Sequence, residues 1–121
     1  MAKITGIDHV QVAMPVGNEP QAVAFYMDML GLPQITKPAH LAVRGGVWFQ
    51  CGAAQLHLGA DAAFQPAKKA HPALRVEGFE EFIATLTARG VEVKPDEMVA
   101  GLRRATIFDP FGNRVELIEQ R

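Results

Sequence analysis

Residues able to bind a metal recur along this chain at nearly constant spacing. His9 and His71 lie 62 residues apart (71 − 9), each opening a strand-like stretch, and Gln55 and Glu116 lie 61 apart (116 − 55), each near the start of a later one. Imidazole and carboxylate donors suit Zn, Ni, Mn or Fe, and a Gln carbonyl is a weaker but acceptable oxygen ligand. Singly, each residue has an ordinary explanation. A lone strand histidine is usually a hydrogen-bonded structural group, and a lone strand glutamate usually faces solvent. Four such residues in repeat-equivalent places point instead to a divalent metal ion. Glu116 adds to this, because its neighbours Val115, Leu117 and Ile118 form an apolar setting where an unpaired carboxylate is costly. The fourth position stays open between two residues. Gln55 matches the repeat offset, while His57, two residues on and on the same strand face, is chemically the better transition-metal ligand.

The elements that must position these residues repeat as well. In Ile7–Met14, His9, Gln11 and Ala13 alternate with Val10, Val12 and Met14, the period of a half-buried strand. Pro15 and Gly17 end it, Asn18 is placed to cap a helix with Pro20 in its first turn, and Ala22, Val23, Phe25, Tyr26, Met29 and Leu30 give that helix an apolar side ending at Gly31. Strands are expected at about 40–44, 47–51 and 55–58, with turns at Gly45-Gly46 and Gly52-Ala53. The Ala-rich stretch 59–70 reads as a linker. The second unit repeats the order: a strand after His71, a helix marked by Phe79, Phe82, Ile83 and Leu86 and ending at Arg89-Gly90, a short strand 91–94 closed by Pro95, then strands at 103–108 and 114–119. Asp109-Pro110-Phe111-Gly112-Asn113 joins the last two as a hairpin, Pro presetting φ and Gly supplying a positive one. Each unit therefore reads strand, helix, strand, strand, strand.

Composition narrows the function classes. The chain has 121 residues, enough for one domain with a real core, and a formal charge of −1 with no basic stripe for nucleic acid. Cys51 is the sole cysteine, which favours a reducing compartment and excludes an intrachain disulfide. The N-terminal residues lack the apolar core of a signal peptide, and no apolar run nears the ~20 residues needed to cross a bilayer. A cytoplasmic protein with no membrane or nucleic-acid partner is expected. Of the remaining side chains, Arg44, Arg75, Arg103 and Arg104 are candidates to hold an anionic substrate, Arg44 and Arg103 first among them. Trp48 and Phe49 must face opposite sides of their strand, one to the core and one to a concave face. Tyr26 is expected in the core, and Cys51 as a small buried hydrophobe.

Three segments carry a family resemblance: Ile7-Asp8-His9-Val10, Phe25-Tyr26-Met27-Asp28-Met29-Leu30-Gly31-Leu32, and Asp109-Pro110-Phe111-Gly112-Asn113-Arg114-Val115-Glu116-Leu117. The chain resembles the vicinal oxygen chelate superfamily, which includes glyoxalases, bleomycin-resistance proteins and extradiol dioxygenases. The resemblance implies an α+β glyoxalase-like fold of two tandem βαβββ modules, their curled mixed sheets around a cavity, in a single domain 1–121 with modules at about 4–59 and 71–120. It implies metal positions at His9, Gln55 (with His57 beside it), His71 and Glu116, Glu116 or Gln55 also in the catalytic base positions, and, as in many relatives, a homodimer with the site completed across its interface.

Gln55 stands where glyoxalases carry Glu, and a Gln cannot act as a base at neutral pH. Two-carboxylate proton transfer is thus the chemistry this chain supports least. Two functions remain in competition. One is a metal-dependent lyase, isomerase or thiol transferase acting on a small oxygenated metabolite. The other is a metal-free protein that sequesters a drug or metabolite, in which Trp48, Phe49 and Phe111 would matter more than the histidines.

Overall fold

The alternating apolar pattern becomes two four-stranded sheets. The computed structural model describes residues 1–121, and the chain divides into two compact units, Met1–Gln65 and Pro66–Arg121. In the first, β1 (His9–Pro15) leads to helix α1 (Glu19–Val23), which continues as a π-helical segment over Ala24–Met29; β2 (Gln34–Ile35), the one-turn helix α2 (Ala39–Ala42), β3 (Val47–Cys51) and β4 (Ala54–Asp61) follow. In the second, β5 (Ala73–Val76), α3 (Phe79–Ala88), β6 (Lys94–Val99), β7 (Leu102–Phe108) and β8 (Arg114–Glu119) follow in order. The sheet orders are β1-β4-β3-β2 and β5-β8-β7-β6. In each, the first strand lies parallel beside the last and the other neighbours are antiparallel. A parallel pair cannot be closed by a tight turn, so each unit places its helix early in the crossover that returns the chain to its first strand. The α+β architecture of two βαβββ units is the one the sequence predicts.

Each sheet has one apolar and one polar face. In the first unit Val12, Met14, Val47, Phe49, Leu56 and Leu58 are buried. Tyr26 seals this side, its ring 5.6 Å from that of Phe49 and 5.0 Å from Phe25. In the second unit Val76, Ala105, Ile107, Val115 and Leu117 are buried, as are Phe79 and Leu86 of α3. The alternate residues, including every histidine and carboxylate considered as a ligand, lie on the polar faces or at their margins.

Five local expectations are corrected. Residues 40–44 are not a strand: Pro38 opens a single helical turn over Ala39–Ala42, and the missing strand is the two-residue β2. Alanine and leucine favour a helix as readily as a short strand, and no long-range partner pulls this segment into the sheet. Pro95 does not close a strand but lies inside β6; β6 is an edge strand, where a residue without an N–H can be tolerated. The linker begins later than expected, because β4 runs on to Asp61 to match β1 as far as Pro15. His71 does not open its strand but precedes β5 by two residues. Asn18 also stands at the helix start without a side-chain capping bond.

The hairpin between β7 and β8 forms as predicted, with Gly112 at φ +90°. Asp109, 5 % exposed, organises it: one carboxylate oxygen accepts the backbone N–H groups of Phe111 and Asn113, each at 2.9 Å, and the other accepts the Asn113 side-chain amide at 2.9 Å. Asp109→Ala leaves those buried donors without their acceptor and is expected to cost about 2–4 kcal/mol. Thermal unfolding checks this; a loss below about 1 kcal/mol would show that the turn holds without the carboxylate.

Candidate functional site

Strand register decides which ligand-type residues correspond between the units. In the first, β1 pairs with β4 so that His9 faces Gln55 and Gln11 faces His57. In the second, β5 pairs with β8 so that Ala73 faces Glu116. His71 precedes Ala73 by two residues as His9 precedes Gln11. If His9 and His71 correspond, the counterpart of Glu116 is therefore His57. If Gln55 and Glu116 correspond, the counterpart of His9 is Ala73. The set His9, Gln55, His71 and Glu116 cannot be equivalent in both pairs at once.

Side-chain contacts favour the first alternative. His71 Nε2 lies 3.2 Å from Glu116 Oε1. In the first unit the His9 ring stacks on His57, with centroids 4.3 Å apart and planes 13° off parallel. Gln55 instead supports His57, its amide oxygen accepting the His57 Nε2–H at 2.9 Å. Trp48, cross-strand partner of His57, covers the other face of the imidazole at 4.0 Å and 3°. Lys37 Nζ lies 5.9 Å from the Trp48 ring and extends the column. Burial, at 4 % exposure, pushes the His57 imidazole below its ordinary pKa, and the electrostatic influence of His9 and Lys37 acts in the same direction against an opposing effect of Asp8. This favours the neutral imidazole, the form that ligates metals.

Each of the other two histidines has one nitrogen fixed. His71 Nδ1 lies 2.8 Å from the Lys69 carbonyl oxygen, and His9 Nδ1 lies 2.8 Å from Asp8 Oδ1. Both partners only accept, so both rings carry hydrogen on Nδ1 and can present a lone pair at Nε2, the arrangement in which an outer acceptor orients a metal-binding imidazole. For His71 this lone pair points at a carboxylate oxygen. Two acceptors at 3.2 Å are reconciled by a cation: a second proton on the ring, or a metal ion that both atoms bind. A nitrogen and an oxygen each about 2.1 Å from one ion stand roughly 3.0–3.4 Å apart at octahedral to tetrahedral angles. The pair fits a divalent metal. Neither unit by itself gathers three or more His, Cys, Asp or Glu side chains at one point.

Glu116 has a further partner that sequence reasoning ranked low. Arg104 Nη1 donates to Glu116 Oε1 at 3.1 Å, while its Nε donates to the Glu97 carbonyl at 2.9 Å. Arg103, ranked above it, faces the other side of β7, where it pairs with Glu119 and Glu80 and lies over the Phe79 ring at 5.6 Å. Hydrogen bonds from the Arg103 side chain, and then from its backbone amide, hold the Glu119 carboxyl below the usual carboxylate range. Strand alternation carried the signal: Thr106 is opposite Glu116, so Arg104, two residues away, shares its face. Arg44 is exposed just beyond α2, and Arg75 is exposed on β5. Phe111 sits in the β7–β8 turn rather than on a strand face, and His40 lies in α2. Cys51 is partly buried, and burial raises its thiol pKa, which disfavours the reactive thiolate.

Residues 6–117 match the family described as the Glyoxalase/Bleomycin resistance protein/Dioxygenase superfamily. A protein from Bacillus anthracis assigned to the glyoxalase family shares 46% identity, with a TM-score of 0.96, over 100% of this chain and 99% of that one. A fosfomycin resistance protein from Listeria monocytogenes shares the fold at 19% identity and a TM-score of 0.75, over 98% and 96% of the two chains. An antibiotic binding protein from Streptomyces sp. does so at 22% and 0.77, over 100% of both. No curated protein matches the chain. No helix is long and apolar enough to cross a membrane.

Proposed function

Because the chain belongs to the glyoxalase/bleomycin resistance protein/dioxygenase superfamily, we propose that His71 with Glu116, and correspondingly His9 with His57, are divalent-metal ligand pairs that serve a lyase, isomerase or thiol transferase acting on a small oxygenated metabolite. One observation carries the proposal. His71 donates Nδ1–H to the Lys69 carbonyl, which turns its Nε2 lone pair toward Glu116 Oε1 at 3.2 Å, and a metal ion satisfies both atoms. A bound metal would act as a Lewis acid toward the substrate's oxygens.

The chain's own groups divide the remaining work. His71 and Arg104 both approach Oε1 of Glu116, leaving Oε2 as the oxygen at which the carboxylate takes up a proton. Arg104 fixes the orientation of that carboxylate. The His57 ring is held in its plane by Trp48 and His9. Gln55 orients His57 and, being an amide, moves no proton.

Calorimetric titration of the chelator-treated protein with Zn, Ni, Mn and Fe(II) tests the proposal. At least one ion is expected to bind saturably. His57→Leu is expected to weaken it by at least about 100-fold and Gln55→Leu by only about tenfold, the mild end of what loss of an outer partner costs. Absence of saturable binding by any of the four ions would overturn the metal assignment, and equal losses in the two variants would overturn the choice of His57. A second reading has one observation in its favour. The Trp48–His57–His9 column presents a stacked ring surface with His9 outermost and 48% exposed, suited to sequestering a planar molecule without metal.

A further inference from the structure

The polar face of the second unit carries more positive charge than its own acids use. Register places Lys94 and Asp96 of β6, Arg104 and Thr106 of β7, Arg114 and Glu116 of β8, and Arg75 of β5 on one side of the sheet. That is four basic residues against two acidic ones. Asp96 accepts the Thr106 hydroxyl at 2.7 Å, and Glu116 is met by Arg104 and His71. Arg114 is left over. Its Nε is cut off from solvent and has no hydrogen-bond partner. The exposed Arg75 can be hydrated, but a buried guanidinium N–H without an acceptor costs about 1–3 kcal/mol.

Such a donor is explained by a ligand that supplies the missing acceptor. Arg104 bonds through Nε and Nη1 and keeps Nη2 free. Arg114 precedes Glu116 by two residues on the same strand, and Arg104 reaches Glu116 from the neighbouring strand, so both arginines are next to Glu116 on this face. Planar guanidinium groups bind carboxylate, phosphate and phosphonate oxygens in pairs, whereas an ammonium offers a point charge.

We propose that Arg104 and Arg114 form a receptor for an anionic oxygen group of the small molecule bound at this face: a carboxylate, phosphate or phosphonate held beside Glu116. The proposal rests on this face being the functional one, but it does not require a bound metal. It is therefore tested on the chelator-treated full chain, with the metal titration run separately so that either can fail alone.

The probes are inorganic phosphate and acetate, added in separate titrations while the arginine Nε–H signals are followed by NMR. At least one anion is expected to shift the Arg114 and Arg104 signals saturably. A response to phosphate alone assigns a phosph(on)ate ligand, and one to acetate alone a carboxylate. Arg114→Met is expected to weaken the response tenfold or more, and Arg75→Met to leave it within twofold. Arg114→Lys keeps the charge without the paired donors and is expected to lose affinity too, which provides the test if the methionine variant does not fold. No saturable shift with either anion, or equal losses on replacing Arg75 and Arg114, would overturn the proposal.

Discussion

Glu116→Ala is expected to weaken divalent-metal binding by at least about 100-fold, more than loss of an outer-shell partner causes, because it removes the carboxylate ligand itself. The same change withdraws the acceptor of Arg104, whose side chain is 22% exposed, and of any proton shared with His71. An unpaired, partly buried guanidinium costs less than a fully buried one, so the metal-free protein should lose roughly 1–3 kcal/mol. Glu116→Gln separates the two effects. It keeps the volume and an oxygen for Arg104 but not the negative charge, so stability should stay near the parent's while metal affinity falls at least about tenfold. Calorimetry and thermal unfolding in chelator measure both quantities. If Glu116→Ala binds metal as the parent does, Glu116 is not a ligand and its buried carboxylate serves only Arg104 and His71.

Gly46→Ala is expected to be the most destabilising single-methyl change in the first unit, at about 3 kcal/mol or more, or roughly 10 °C in Tm. Residue 46 has φ +85°, where an L side chain is strained. A Cβ there would also overlap the Leu58 carbonyl oxygen, with the Leu58 carbonyl carbon at 3.2 Å and the Ala60 amide nitrogen at 3.4 Å. These are backbone atoms of β4 and cannot swing aside. Gly46 N–H further donates to Glu19 Oε2 at 2.7 Å, so any displacement also pulls on α1. Because β3 begins at the next residue and carries Trp48, loss of this approach should also disturb the stack on His57. Gly52→Ala is the contrast: a positive φ of +59° but nothing within 4 Å of an added Cβ, so strain alone acts and the loss should be about 1–2 kcal/mol. Thermal unfolding of the two variants decides it; equal losses would mean that backbone strain, and not the overlap with β4, sets the cost at residue 46.

How much of the fold was legible follows from how local each signal is. The alternation of His9, Gln11 and Ala13 with Val10, Val12 and Met14 specifies a strand and both its faces without reference to any partner, and α3 is equally visible in Phe79, Phe82, Ile83 and Leu86. The hairpin at 109–113 was readable because Pro and Gly restrict their own backbone angles. Where the deciding partner is distant, the sequence was silent. Two residues of β2 become a strand only because β3 lies beside them, and Pro95 is accepted inside β6 only because that strand is at an edge.

The candidate site divides along the same line. The sequence by itself determined which residue types are available, on which face of which strand each stands, and that the chain is built from two similar halves. It could not determine the register of β1 against β4 or of β5 against β8. A count of offsets treats insertions in loops and shifts in pairing alike, so 62 and 61 looked like one repeat. The hydrogen-bonded ladders distinguish them: once His9 is matched with His71, they put His57 rather than Gln55 in the place of Glu116, and Arg104 lies on the Glu116 oxygen. Register is set by which faces must be buried and how the intervening turns close, and both are properties of the assembled sheet.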